Sequence, residues 1–334
     1  MKIRSYSKAK MIIPNTRYIK VRYIRILFIS LIVFMNKIEA QQDAQYTQYM
    51  YNTISVNPAY AGSRDAISII GLYRNQWVGI GGAPVTQTLN IHSPVGANNK
   101  VGLGLSIVND KIGPTQETYL DIDFSYTVNT SVKGQLAFGV KVGGHLLDVN
   151  FDELNRYTNT DVLLDTNIDN KFSPNMGIGV YYHTNKLYIG LSAPNLLQTQ
   201  HFDESSSGNR ASSFLAKERI NYYLIGGYVF DINENLQLKP SVLIKGVVGA
   251  PLQVDISANV LFKEKLTLGL AYRWSAALSV LAGFQVSDSM MLGFAYDWET
   301  TELGNTEFNA GSYEFILRYE IFKKQEKVIY PRFF

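Results

Sequence analysis

The chain has 334 residues, is 13% aromatic and 18% charged, and contains 26 glycines and no cysteine. Disulfides, thiolate metal sites and cysteine nucleophiles are therefore excluded, and the profile suits a sheet protein with an aromatic, weakly charged exterior. The formal charge of +3 belongs to residues 1–40, where nine Lys and Arg face one acid, Glu39; the remainder holds 22 basic and 27 acidic residues, which removes the electrostatic footprint of a nucleic-acid-binding protein.

Ile26–Phe34 is a nine-residue apolar core behind a strongly basic stretch, with Ala40 as a small residue for cleavage and Gln41 as the first residue of the mature chain. The pattern predicts a cleaved secretory signal peptide over 1–40, because the core is too short to span a membrane as a helix. No later run is long and apolar enough for such a helix, which leaves a periplasmic protein, a secreted protein or an outer-membrane barrel.

Residues 41–64 form a polar, aromatic segment that is expected on the periplasmic side. Tyr46, Tyr49, Tyr51, Asn57 and Pro58 are its candidate partner-binding residues. The same segment could instead enter the lumen as a plug, or form a turn that closes the barrel base, since Asn57-Pro58 and Ala61-Gly62 are turn chemistry.

From residue 65 to 321 apolar and polar residues alternate in short runs. In 252–262, Leu252, Val254, Ile256, Ala258, Val260 and Phe262 share one face and Gln253, Asp255, Ser257 and Asn259 the other. Period two means a strand with one apolar and one polar face. The runs 118–126 and 313–321 repeat it. Fourteen strands are predicted, roughly at 65–77, 84–92, 100–109, 117–127, 134–148, 174–183, 186–192, 218–230, 235–245, 251–262, 265–273, 277–286, 289–297 and 311–321. The long connections 149–173, 193–217 and 298–310 all follow odd-numbered strands, so they share one end of an up-and-down antiparallel transmembrane β-barrel. That parity places both termini on the opposite, periplasmic side. A soluble sandwich also alternates, but its polar face should carry more Lys and Glu than the Ser, Asn, Gln and Gly found here.

Charges on the polar faces cannot look at lipid, so Arg74, Asp121, Asp123, Lys141, Lys239, Lys245, Asp255, Arg273, Asp297, Glu314 and Arg318 are expected to face the lumen. Mixed signs suit an ion-pair network, or contact with an inserted polypeptide, better than an ion-selective pore. The four histidines His92, His145, His183 and His201 are far apart and make no metal or hydrolase spacing. Acids such as Asp152, Glu153, Asp161, Asp165 and Asp169 lie in a loop without EF-hand spacing, so Ca²⁺ binding has no motif behind it. No enzyme, cofactor or metal is expected. The tail 322–334 exceeds what closure needs, and its Tyr330, Arg332, Phe333 and Phe334 are candidate docking residues, aromatic and Arg side chains being typical interface anchors.

The run Gln45-Tyr46-Thr47-Gln48-Tyr49-Met50-Tyr51-Asn52, followed by Asn57-Pro58-Ala59-Tyr60-Ala61-Gly62-Ser63-Arg64, resembles the opening of mature PorP/SprF family proteins. In order come Arg74-Asn75-Gln76-Trp77, Asp110-Lys111-Ile112-Gly113-Pro114, Phe172-Ser173-Pro174-Asn175, Lys239-Pro240-Ser241, Gly249-Ala250-Pro251, Tyr272-Arg273, Tyr296-Asp297 and Pro331-Arg332-Phe333-Phe334. Tyr313 stands where the family often shows His. The resemblance implies an outer-membrane component of type IX secretion and gliding in Bacteroidota. It implies as partners the periplasmic machinery and the C-terminal sorting domain of a cargo adhesin, besides outer-membrane lipid. A general porin or small-solute transporter is the reading that barrel architecture alone would allow.

Overall fold

The computed structural model of the chain describes residues 44–96, 98–153, 167–197 and 220–322. The signal peptide, Asp161, Asp165, His201, and Tyr330, Arg332, Phe333 and Phe334 of the tail lie outside the described residues. Described residues 44–248 and 252–322 belong to one compact unit, which holds the barrel.

Its strands are β1 (Ile67–Asn75), β2 (Val85–Val95), β3 (Val101–Ile112), β4 (Thr115–Asn129), β5 (Gln135–Val149), β6 (Ile168–His183), β7 (Leu187–Ala193), β8 (Asn221–Tyr228), β9 (Phe230–Asn233), β10 (Leu236–Val247), β11 (Gln253–Phe262), β12 (Leu266–Arg273), β13 (Ala277–Ser287), β14 (Met290–Glu299) and β15 (Ser312–Ile321). β8 and β9 pair with the same neighbour, β10, and form one stave interrupted at Val229, so the ring has fourteen staves. Consecutive staves are antiparallel, and β1 closes on β15 from Ile67 opposite Ile321 to Asn75 opposite Tyr313. The all-β, fourteen-strand barrel expected from the alternation is the observed fold.

Burial follows the period of two in the sense that a membrane barrel requires. On β4, Asp121, Asp123 and Ser125 are buried while Leu120, Ile122, Phe124 and Tyr126 are exposed. On β11, Asp255, Ser257 and Asn259 are buried while Ile256 and Phe262 are exposed. A soluble sandwich hides its apolar faces; here they form the outer wall, as lipid contact demands. The connections 150–167, 194–220 and 300–311 leave one end of the ring, called here the long-loop end. The connections 96–100, 130–134, 184–186, 234–235, 263–265 and 288–289 close the other, the short-turn end.

Most boundaries shift by one to three residues from the sequence expectation, and two strands depart further. β6 starts at Ile168, because its hairpin with β5 runs past the apolar band and Ile168 packs on a small cluster of Leu147, Val149 and Phe151. The predicted strand 218–230 breaks because Val229 turns inward, buried, with its N–H donating to the Lys186 carbonyl at 2.7 Å. β9 continues beyond the break with all four residues exposed.

Ile122 sits midway along β4 and is 60% exposed on the outer wall. Ile122→Arg should destabilise the barrel by about 2–4 kcal/mol, measured by denaturant titration in lipid bilayers.

Candidate functional site: the occupied lumen

Residues 44–64 run through the barrel. The segment has no strand or helix period. It folds as three single 3₁₀ turns, Tyr49–Tyr51, Thr53–Ser55 and Pro58–Tyr60. The last is the best encoded: Asn57 caps it by accepting the Ala59 N–H at 3.0 Å, and Pro58 occupies the first position, where no N–H is needed.

Its contacts fix a direction. At the start, Gln45 Nε2 donates to Gln253 Oε1 at 3.0 Å, and Arg273 Nη2 donates to the Tyr46 carbonyl at 3.5 Å. Gln253 opens β11 and Arg273 ends β12, so both stand at the long-loop end. At the finish, the Gly62 N–H donates to His92 Nδ1 at 3.2 Å, and Arg64 pairs with Glu320, the last residue but one of β15, at the short-turn end. Between them, Asn90 Nδ2 donates to Asn52 Oδ1 at 2.5 Å, Ser192 Oγ to the Val56 carbonyl at 2.6 Å, Asn57 Nδ2 to the Val180 carbonyl at 3.0 Å and Ser125 Oγ to the Ala61 carbonyl at 2.7 Å. Tyr60 packs edge-on against Tyr181 and His92, with ring centroids 5.3 and 5.5 Å away.

The wall makes room through glycine. A Cβ on Gly102 would run into the Ala61 carbonyl oxygen, one on Gly139 into the Ala59 nitrogen and one on Gly179 into the Asn57 amide. Gly62 itself has φ +74° and would bring a side chain against the Gly102 backbone.

The interior charges meet in groups. Arg74 Nη2 lies 2.6 Å from Asp297 and Nη1 lies 3.1 Å from Glu314. Thr47 Oγ1 donates to Asp297 at 2.7 Å, and the Thr47 and Gln48 N–H groups both donate to the Glu314 carboxylate at 2.8 Å. Arg273 binds Asp255 at 2.9 Å, Lys141 lies 3.4 Å from Asp121 and 3.8 Å from Asp123, and Arg318 lies 3.8 Å from Glu320. The ammonium of Lys239 sits 4.4 Å over the Tyr51 ring, and that of Lys245 sits 5.6 Å from the Tyr223 ring.

All eleven charged residues expected to face the lumen are buried. The structure gathers Arg74, Asp297 and Glu314 into one cluster with the N-terminal segment, and it sets Asp121 and Asp123 around Lys141. Tyr46, Tyr49, Tyr51, Asn57 and Pro58 are also buried, which corrects their expected role as a periplasmic docking surface: their side chains are spent on the inner wall. Of the alternatives for this segment, the structure shows the plug: residues 44–64 lie inside the barrel, from Gln45 at the long-loop end to Arg64 at the short-turn end. Sequence reading missed Thr47, Gln48, Arg64, Glu320, Ser125 and Ser192. The sequence marked only the room for the segment, in the inward glycines Gly102 and Gly104 on β3 and Gly177 and Gly179 on β6. Among the described residues no three His, Asp or Glu side chains are grouped so as to hold a metal ion.

The sequence model of the family described as "Type IX secretion system membrane protein PorP/SprF" matches residues 38–319. No curated protein matches the chain. Solved structures similar to it include the outer membrane protein Omp33 of Acinetobacter baumannii, 7% identical over 77% of this chain and 98% of that one, with a TM-score of 0.46. The TodX deltaS2S3 mutant monoaromatic hydrocarbon channel is 10% identical, with coverage of 80% and 93% and a TM-score of 0.48. A Pseudomonas aeruginosa FadL homologue is 12% identical, with coverage of 79% and 92% and a TM-score of 0.45. At these scores the likeness bears no weight on function, and the architecture rests on the strand pairing itself.

Gly102→Val and Gly139→Val should each cost about 1–3 kcal/mol by overpacking the segment, whereas Gly226→Ala should be neutral, since a Cβ there meets nothing nearer than 3.5 Å; thermal unfolding in detergent reads both. Arg74→Ala, which strands Asp297 and Glu314 without their counter-ion, should cost about 3–5 kcal/mol in the same assay.

Proposed function

Since the chain belongs to the PorP/SprF family of type IX secretion system membrane proteins, we propose that it is a non-enzymatic outer-membrane component of that secretion and gliding machinery, supporting the export or surface anchoring of a large adhesin and contacting periplasmic components. The long-loop end then faces the cell exterior and the short-turn end the periplasm, the usual orientation of such barrels. The tail, with Tyr330, Arg332, Phe333 and Phe334, is the proposed periplasmic contact. The periplasmic turns flank the site from which it leaves β15.

The observation that carries this reading beyond family membership is the occupied lumen. A porin lumen is polar and water-filled. This one is threaded by residues 44–64, held by hydrogen bonds to β2, β4, β6, β7, β11, β12 and β15. A filled barrel favours holding polypeptides over passing solutes. The porin alternative keeps the fold and requires the segment to leave.

Deleting the gene should abolish surface display of one adhesin, scored by immunolabelling of intact cells, and the purified barrel should show little conductance in planar bilayers. Normal display together with large, steady conductance would sink the secretion reading and favour the porin. Truncation of 322–334 should remove periplasmic components from a membrane pull-down; an unchanged set of partners would rule out docking through the tail.

A further inference from the structure

The direction of the N-terminal segment decides where the mature amino terminus lies. The chain enters β1 at Ile67 at the short-turn end, yet 22 residues earlier it is at the opposite mouth, where Gln45 meets Gln253 and the Tyr46 carbonyl meets Arg273. Thr47 and Gln48 are clamped just below by Glu314, Asp297 and Arg74. We propose that the barrel carries its N-terminal segment through to the outer mouth, so that the mature amino terminus is presented at the cell exterior. The inference goes beyond the secretion role and does not depend on it; it needs the orientation of the barrel and cleavage of the leader after Ala40.

Chain length sets the reach. With cleavage after Ala40, three residues, Gln41, Gln42 and Asp43, precede Ala44. Fully extended they span at most about 10 Å. The shortest route back down is a strand such as β1, whose nine residues rise about 30 Å along the chain, or some 23 Å of height at the usual tilt. The amino terminus therefore cannot return to the periplasmic side, so any polypeptide that meets it does so at the cell surface. An uncleaved leader would place nine Lys and Arg and the apolar core of Ile26–Phe34 outside the cell, which runs against the sense of export. The threaded segment and the cleavage signal thus support each other.

The absence of cysteine makes single-cysteine labelling a clean test. Ala44→Cys reports on the end of the segment and Gln42→Cys on the residues that precede it. Phe308→Cys, on the exposed connection between β14 and β15, marks the long-loop end, and Glu264→Cys, on the exposed turn between β11 and β12, marks the other. Cells expressing each full-length variant are treated with a membrane-impermeant maleimide before and after permeabilisation of the outer membrane. Gln42→Cys should label in intact cells at the level of Phe308→Cys, and the half-buried Ala44→Cys, used where the first variant fails to accumulate, should still label far above Glu264→Cys. Labelling only after permeabilisation, or protection in both conditions, would overturn the proposal. Loss of adhesin display bears on the secretion role alone, so the two fail separately.

Discussion

A peptide N–H or C=O turned towards hydrocarbon has no water to bond, and leaving one unpaired costs several kcal/mol. Everything else in this molecule is arranged around that constraint. A sheet meets it only by having no edge, hence the nine-residue pairing of β1 with β15. Closing the sheet then fixes which face of each strand looks inward. Since the outward face must be Leu, Ile, Val, Phe and Tyr, whatever is polar is driven inside.

That interior raises a second problem, because buried charge is costly unless it is paired and fully hydrogen-bonded. Neighbouring strands solve part of it, as Lys141 does for Asp121 and Asp123. Glu314 is the telling case. Its carboxylate has the Arg74 guanidinium on one side and the Thr47 and Gln48 N–H groups on the other, and hydrogen bonds to charged groups contribute about 1.5–3 kcal/mol each. The N-terminal segment is thus an integral part of the charge arrangement. Ser125 and Ser192 do the converse for the segment, giving donors to carbonyls that a 3₁₀ turn leaves open. Wall and segment satisfy each other, and the glycines at 102, 139 and 179 let their backbones come close enough to do so.

The wall was legible in the sequence because strand period is local. Asp121, Asp123 and Ser125 announce an inward face within five residues, and the long loops on one parity give the two ends. The early start of β6 and the break at Val229 were not legible, since they depend on what a neighbouring strand offers: Phe151 beside Ile168, and the Lys186 carbonyl beside Val229. The threaded segment was the hardest part. Its turns at Asn57-Pro58 were visible, but its contacts pair Thr47 with Glu314 and Arg64 with Glu320 across almost the whole chain. No window of sequence contains that information. The inward-facing glycines mark only where the wall leaves room for a close backbone.

The seam between β1 and β15 also has a bearing on biogenesis. Its partners are the first and last strands, so it is the most non-local pairing in the barrel and carries the largest loop-closure entropy. Tyr46, Tyr49 and Tyr51 would have to squeeze past a finished wall if the ring sealed ahead of them. An open, partly zipped sheet is instead a cradle onto which the preceding residues can settle, with Glu314 on the final strand arriving to clasp Thr47 and Gln48 as the gap is drawn shut. The clasp thus ties the last stave to the residues that precede the first, and a chain whose leading residues are out of place lacks it.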